Sequence, residues 1–130
     1  MAGYQHVNTL VVPEADSPIH GIHHFYMNDK AQDVFSKHSP GADYPAGAKI
    51  VGKVFKVVKT DDGRIKEGDL AAYTYMEKAP DSDEAQKTGG WVFRQFDAKR
   101  KDMGVDPVAG CFGCHEPHAN SDYVMSEPLR

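Results

Sequence analysis

Four segments combine β-branched and aromatic residues in runs typical of β-strands: IHHFYMN (Ile22–Asn28), AKIVGKVFKVVKT (Ala48–Thr60), GDLAAYTYMEKA (68–79) and GGWVFRQFDA (89–98). In the third segment, side-chain alternation places Tyr73 and Tyr75 on one face. In the fourth, it places Trp91, Phe93 and Gln95 on one face. Four strands that follow one another along the chain predict a mostly antiparallel sheet.

The segments between these strands carry helix and turn signals. DKAQDVFSKH (Asp29–His38) predicts a short helix with its first residue as the N-cap. Ala31, Val34 and Phe35 then fall on one helix face. DDGR (61–64) predicts a hairpin turn, because Asp-Gly favours positive φ at both central positions. Three polar, Pro- and Gly-containing stretches predict turns or loops: VVPEADSPIHG (11–21), SPGADYPAG (39–47) and APDSDEAQKTGG (79–90).

The fold class is therefore α+β, a twisted, mostly antiparallel β-sheet with a few peripheral helices. The length of 130 residues predicts a single domain, residues 1–130. The net charge of −4 argues against nucleic acid as a partner, because phosphate binding needs a basic surface. No apolar run approaches the roughly 20 residues of a membrane-spanning helix. The first residues, MAGYQHVNTL, do not read as a secretory signal peptide.

The two cysteines of the chain lie three residues apart in VAGCFGCHEP, near its C-terminus. A disulfide between Cys111 and Cys114 would close only a small loop. A thioredoxin-like pair belongs early in a βαβ unit, which is not predicted here. A zinc site would need His115 and His118 as further ligands, in a cramped cluster without the usual second half. Cys-x-x-Cys-His is also the attachment motif of c-type haem.

Haem c explains all three residues of this motif. The thiols of Cys111 and Cys114 would each add to one vinyl group of a single haem, and His115 would be the proximal ligand of the iron. The fold prediction therefore includes a C-terminal c-type haem motif. Haem is attached to such motifs outside the bacterial cytoplasmic membrane. The mature protein is therefore expected to be exported to the periplasm, with its signal peptide removed.

The chain resembles the cytochrome P-460 family, including its cytochrome c′-beta branch. The resemblance rests on motifs that follow one another in the family's order: IHHFYMN, YPAGAKIVGKVFKV, YMEKAP, TGGWVF, CFGCH and NSDYVMS. It implies an exported homodimer with its haem on a twisted antiparallel sheet. In the P-460 enzymes, which oxidise hydroxylamine, a strand lysine is covalently linked to the haem. Members of the c′-beta branch lack that link, keep a five-coordinate iron beneath an apolar cap, and bind nitric oxide.

The position of the linking lysine distinguishes the two branches. Aligned on AGAKIVGKVF, that position is Gly52, and the lysine comes one residue later, at Lys53. A shift by one residue sends a strand side chain to the opposite face, unless a bulge at the glycine restores it. We therefore expect no cross-link and a c′-beta-like protein that binds small gas ligands such as nitric oxide or carbon monoxide.

The resemblance also suggests which residues line the distal pocket of such a haem. Phe25 and Phe55 are expected to form the apolar cap, Gly52 to face the haem, and His23 to share the face of Phe25. Tyr75, Met76 and Arg94 are further candidates for the pocket lining. His20, His24 and His38 are expected to be surface or hydrogen-bonded core residues.

Two other functions stay open from the sequence. One is a hydroxylamine-oxidising enzyme of the P-460 type, which would need the cross-link and a proton acceptor. The other is an electron-transfer cytochrome c, which would need a second strong axial ligand. Any of the three would exchange electrons with a redox partner protein.

Overall fold

A five-stranded antiparallel sheet, with its strands in chain order, forms the body of the molecule. The computed structural model describes residues 3–17, 19–37, 41–106, 115 and 122–124. Within them the elements are β1 (Gln5–Val12), β2 (Gly21–Met27), α1 (Asp29–Phe35), β3 (Lys49–Lys59), β4 (Ile65–Lys78), a short 3₁₀ helix (Glu84–Lys87) and β5 (Trp91–Asp97). The α+β class and the mostly antiparallel sheet are confirmed, whereas the cysteines of the predicted haem motif lie outside the described residues.

The strand registers divide the sheet into two faces. Ile50 on β3 pairs with Met27 on β2 and with Met76 on β4, which in turn pairs with Phe93 on β5. These four side chains belong to one buried cluster with residues of α1, and we call their side of the sheet the core face. Side chains at the alternate positions, such as Lys53, lie on the opposite side, the outer face.

Helix α1 begins and ends differently from the prediction. Asn28, not Asp29, is the N-cap, and its side-chain oxygen accepts a hydrogen bond from the Ala31 N–H at 3.1 Å. The helix ends at Phe35, short of the predicted end at His38, which lies outside the described residues. Ala31 and Phe35 are buried, so the predicted apolar face is correct.

Strand β1 is an element that the sequence pattern did not predict. It includes Val11 and Val12, which were assigned to a turn-rich stretch, so the prediction of four strands was one strand short. Val11 is 49% exposed, as expected of an edge strand that packs little of its surface. A register shift between His6 and Asn8 also breaks the side-chain alternation that identifies strands.

The β3–β4 connection is the predicted hairpin, although its backbone differs from the expected turn. The Thr60 N–H donates to the Arg64 carbonyl at 2.9 Å, which closes the hairpin. Among residues 61–64 only Gly63 has a positive φ, 85°, so the prediction of positive φ at both central positions was wrong. The polar loop 79–90 contains the 3₁₀ helix. In the part of the chain that the structure describes, no helix is long and apolar enough to cross a membrane.

Candidate functional site

The imidazole of His115 lies against the core face of β5. Its ring centroid is 5.0 Å from that of Phe93, and the side chain is half-buried. His115 Nδ1 is 2.6 Å from the carbonyl oxygen of Tyr123. Because a carbonyl only accepts, Nδ1 carries the hydrogen and Nε2 carries the lone pair of the neutral ring. This is the tautomer that an iron ligand needs, so His115 fits the role of proximal ligand.

A buried polar cluster holds the chain next to Tyr123. The neighbouring residue, Asp122, is 4% exposed. Its backbone carbonyl accepts a hydrogen bond from the Trp91 indole N–H at 2.8 Å, and its Oδ2 accepts one from the Tyr44 N–H at 2.8 Å. The ammonium of Lys78 forms an ion pair with the same oxygen. Burial, together with the charge of Asp122, raises the pKa of the Tyr44 hydroxyl.

Both side chains of the Lys78–Asp122 ion pair are shielded from solvent. The side chains are 10% and 5% exposed, and Lys78 Nζ lies 5.3 Å from the centroid of the Trp91 ring. Losing one partner of such a pair leaves an uncompensated buried charge, which typically costs about 3–5 kcal/mol. These residues lie within YMEKAP, TGGWVF and NSDYVMS, and no role for them was predicted from the sequence.

Backbone geometry at residues 122–123 is unusual for side chains with a Cβ. Asp122 and Tyr123 have φ angles of 51° and 66°, in the left-handed region. The ring of Tyr123 lies on Gly89, where an added Cβ would be 2.7 Å from Tyr123 Cδ2. Two such residues in succession persist only where the surroundings hold them, and the contacts of Asp122 supply that constraint.

Three of the residues predicted for the distal pocket lie together on the core face: His23, Phe25 and Gly52. The rings of His23 and Phe25 are stacked, with centroids 5.9 Å apart and an interplanar angle of 18°. Gly52 pairs with Phe25 across β2 and β3 and with Thr74 across β3 and β4. Phe25 and Gly52 are followed on the same face by the pair Met27 and Ile50, which belongs to the buried cluster that contains Phe93.

His23 is a buried residue, 8% exposed, with one ring nitrogen already bonded. Its Nε2 donates to the Ile19 carbonyl at 2.7 Å, so the lone pair of the neutral ring is on Nδ1. His24 lies on the outer face, as strand alternation predicts, and contacts Thr9 and Glu67. His20 is half-buried, and its buried Nδ1 has no hydrogen-bond partner within the described residues.

Phe55 and Lys53 lie on the outer face, opposite Phe25. The ring of Phe55 meets that of His24 edge-on at 5.4 Å, and Lys53 Nζ lies 5.2 Å from the Tyr26 ring centroid. The register shifts of β3 come after Val54, so no bulge at Gly52 turns Lys53 back. Lys53 therefore points away from the face of Gly52, as the one-residue offset predicts, and the structure does not bring Phe55 together with Phe25.

The three further lining candidates are divided between the faces. Met76 is buried in the core cluster. Tyr75 lies on the outer face, where its hydroxyl donates to Glu77 at 2.6 Å. Burial is the main cause that raises the pKa of Tyr75, and the hydrogen bond to Glu77 is the second. Arg94 donates to Glu84, and that hydrogen bond raises the pKa of the guanidinium. Tyr75 and Lys53 line an outer-face groove of about 490 Å³, on the side away from Phe25.

Two core-face residues beside Gly52 were not identified from the sequence. Val54 pairs with His23 and takes the core-face position that was expected for Phe55. Thr74 places its hydroxyl over the α-carbon of Gly52. Val54 lies two residues after Gly52 on β3, so side-chain alternation along this strand would have identified it.

Gly52→Ala is expected to lower the free energy of unfolding by about 1–3 kcal/mol, because the new methyl would overlap Thr74 Oγ1. The same methyl would also lie 3.4 Å from Phe25 Cε1. Equilibrium denaturation of the haem-loaded protein measures the loss. In Gly52→Ala/Thr74→Ala the overlapping oxygen is gone, so the double variant should lose less than the sum of the single variants. Strictly additive losses would contradict this account of Gly52.

Comparison with protein families gives a match over nearly the whole chain. The family model described as Cytochrome P460 matches residues 1–126. Comparison with curated proteins found no relative that matches.

Proposed function

The chain belongs to the cytochrome P460 family, and from that premise we propose that it is a mono-haem c-type cytochrome that binds nitric oxide. Family membership implies a haem cofactor. The finer proposal is a five-coordinate iron beneath an apolar cap, with His115 as its protein ligand. The observation that supports His115 as that ligand is its tautomer, in which Nδ1–H is bonded to the Tyr123 carbonyl so that Nε2 bears the lone pair.

Each residue of the proposed haem site has a separate task. Cys111 and Cys114 would hold the porphyrin through thioether bonds, and His115 Nε2 would bind the iron. When bound, the haem supplies an iron that accepts small diatomic ligands. The Tyr123 carbonyl holds the His115 ring in one orientation. Phe93, whose ring contacts that of His115, limits the rotation of the ring from the sheet side.

The core face near Phe25 is suited to neutral ligands. Phe25 and Val54 present apolar side chains beside Gly52, and His23 has its Nε2–H bonded to Ile19. A dry apolar surface excludes water and disfavours charged ligands. Nitric oxide and carbon monoxide are neutral and small, so this surface favours both.

The hydroxylamine-oxidising alternative has one observation in its favour and one against it. In its favour, Nδ1 of His23 is a proton acceptor on the same face as Phe25. Against it, Lys53 lies on the outer face, where it cannot link to a haem on the core face. We therefore place the protein with the members that lack the cross-link.

Three further features complete the proposal. The thioether attachment requires maturation outside the cytoplasm, which supports a periplasmic location. The resemblance described above supports a homodimer. A redox partner protein would return the iron to the ferrous state after oxidation.

The reduced, purified protein is expected to show a high-spin, five-coordinate ferrous spectrum that changes on addition of nitric oxide and of carbon monoxide. Its intact mass should equal the polypeptide plus one haem, without the hydrogen loss of a lysine cross-link. Visible spectroscopy and mass spectrometry measure both. Lys53→Met is the matched control and should show the same spectrum and the same mass increment over its own polypeptide, because Lys53 lies on the outer face. A smaller mass increment over the polypeptide in the parent than in the control, or turnover of hydroxylamine, would favour the enzyme, and a low-spin spectrum insensitive to nitric oxide would favour the electron carrier.

A further inference from the structure

We propose that Lys78 and Asp122 are positioning residues for the haem iron, an inference that rests on the proposed function. Their buried ion pair fixes the backbone carbonyl of Tyr123, and this carbonyl orients His115. The three motifs YMEKAP, TGGWVF and NSDYVMS thus meet in one cluster, which we call the clamp: Lys78, Gly89, Trp91, Asp122 and Tyr123.

Asp122 is fixed from several directions. Lys78 reaches it from β4, the Trp91 indole N–H from β5, and the Tyr44 N–H from the segment before β3. These bonds use both its carboxylate and its main-chain carbonyl. A residue held at both atoms keeps its backbone orientation as well as its side chain.

The orientation of Asp122 also sets that of the Tyr123 carbonyl. The two residues share a left-handed backbone, with φ angles of 51° and 66°. Their carbonyl directions differ from those of an extended chain, and they would relax if Asp122 were released. The ring of Tyr123 on Gly89 fixes the other side of the turn, where a side chain at 89 would collide with it. The Tyr123 carbonyl is therefore set by the clamp.

The Tyr123 carbonyl would act on the iron through His115. The bond from His115 Nδ1 to the Tyr123 oxygen is 2.6 Å, which is short for a nitrogen–oxygen hydrogen bond. Such an acceptor makes an imidazole a stronger electron donor through its other nitrogen and fixes the plane of the ring. Ligand basicity and orientation are among the means by which a protein tunes a haem iron.

The choice of charged residues supports a role in positioning. Well-packed apolar residues often replace a buried ion pair without loss of stability, so stability alone does not explain Lys78 and Asp122. A charged pair has directional partners, whereas apolar residues of similar volume do not specify where a neighbouring carbonyl points. The pair is 44 residues apart in sequence, so it also fixes the tail segment to the sheet.

The test compares the ferrous holoprotein with Asp122→Asn. Asparagine tolerates the left-handed backbone and still offers an oxygen to the Tyr44 N–H, so the substitution keeps these features and removes the charge that pairs with Lys78. We expect the iron–histidine stretch in the resonance Raman spectrum to shift to lower frequency and to broaden. The reduction potential should rise, because a weaker donor stabilises ferric iron less. The double variant Lys78→Met/Asp122→Asn carries neither buried charge and should show the same shifts if the single variant folds poorly.

Two controls separate positioning from general stability. Asp33→Asn breaks the exposed Lys37–Asp33 pair by the same chemical change and should leave band and potential unchanged. Phe35→Ala weakens the same core without a bond to residues 122–123 and should lower stability with the band unchanged. Unchanged band and potential in both clamp variants would overturn the inference. Failure of the proposed function would show in the parent, as an absent response to nitric oxide, whereas failure of the clamp would show only in the difference between parent and variants.

Discussion

His115→Gly is expected to keep its haem and to lose the iron–histidine stretch completely. The thioether bonds of Cys111 and Cys114 hold the porphyrin independently of the axial ligand, so only the bond to the metal is removed. Free imidazole should restore the band, because it fits the space left by the side chain and its N–H can donate to the Tyr123 carbonyl. Resonance Raman and visible spectra of the ferrous protein, with and without imidazole, measure both effects.

Two comparisons make this result specific to the geometry of His115. 1-Methylimidazole binds iron but has no N–H for the Tyr123 carbonyl, so it should restore a band at lower frequency than imidazole does. His24→Gly should leave the spectrum unchanged, since His24 lies on the outer face with Thr9 and Glu67. An unaltered ferrous spectrum in His115→Gly would exclude His115 as the proximal ligand.

Four of the five strands were predictable because each carries its signal locally. The run of valines in β3 and the alternation in β4 and β5 reflect burial on one face, which composition and periodicity report directly. Strand β1 has little buried surface, and Leu10 and Val11 are 41% and 49% exposed. Its strand conformation comes from hydrogen bonding to β2, which no local pattern reveals.

The sequence predicted the site only where side-chain alternation along a single strand decides which face a residue occupies. Alternation from Gly52 correctly predicted that Lys53 points to the outer face. Phe55 lies two residues after Lys53 and so shares its face, but it was predicted to lie with Phe25. The physical cause is that the register shifts of β3 come after Val54, so the alternation through Gly52 and Val54 is unbroken. A pairing such as Lys78 with Asp122 joins distant segments through tertiary packing, which neither periodicity nor spacing encodes.

Trp91→Ala is expected to lower the free energy of unfolding by about 3–5 kcal/mol, the usual cost of removing a large, fully buried aromatic side chain. Trp91 is 0% exposed, and its ring meets that of Tyr44 edge-on with centroids 5.5 Å apart. The substitution also removes the indole N–H that donates to the Asp122 carbonyl. Equilibrium denaturation of the holoprotein measures the loss, and the reduction potential should rise with it because the clamp loses one of its anchors.

Trp91→Phe separates the hydrogen bond from the bulk of the ring. It keeps an aromatic side chain but leaves the Asp122 carbonyl without its indole donor, which costs about 1–3 kcal/mol for a buried group. Val11→Ala, at an exposed position of β1, should change stability by less than about 0.5 kcal/mol and serves as the surface control. If Trp91→Phe matched the parent in both stability and potential, the indole N–H would not be an anchor of Asp122. If Trp91→Phe lowers the free energy of unfolding and also raises the reduction potential, the clamp transmits its geometry to the iron.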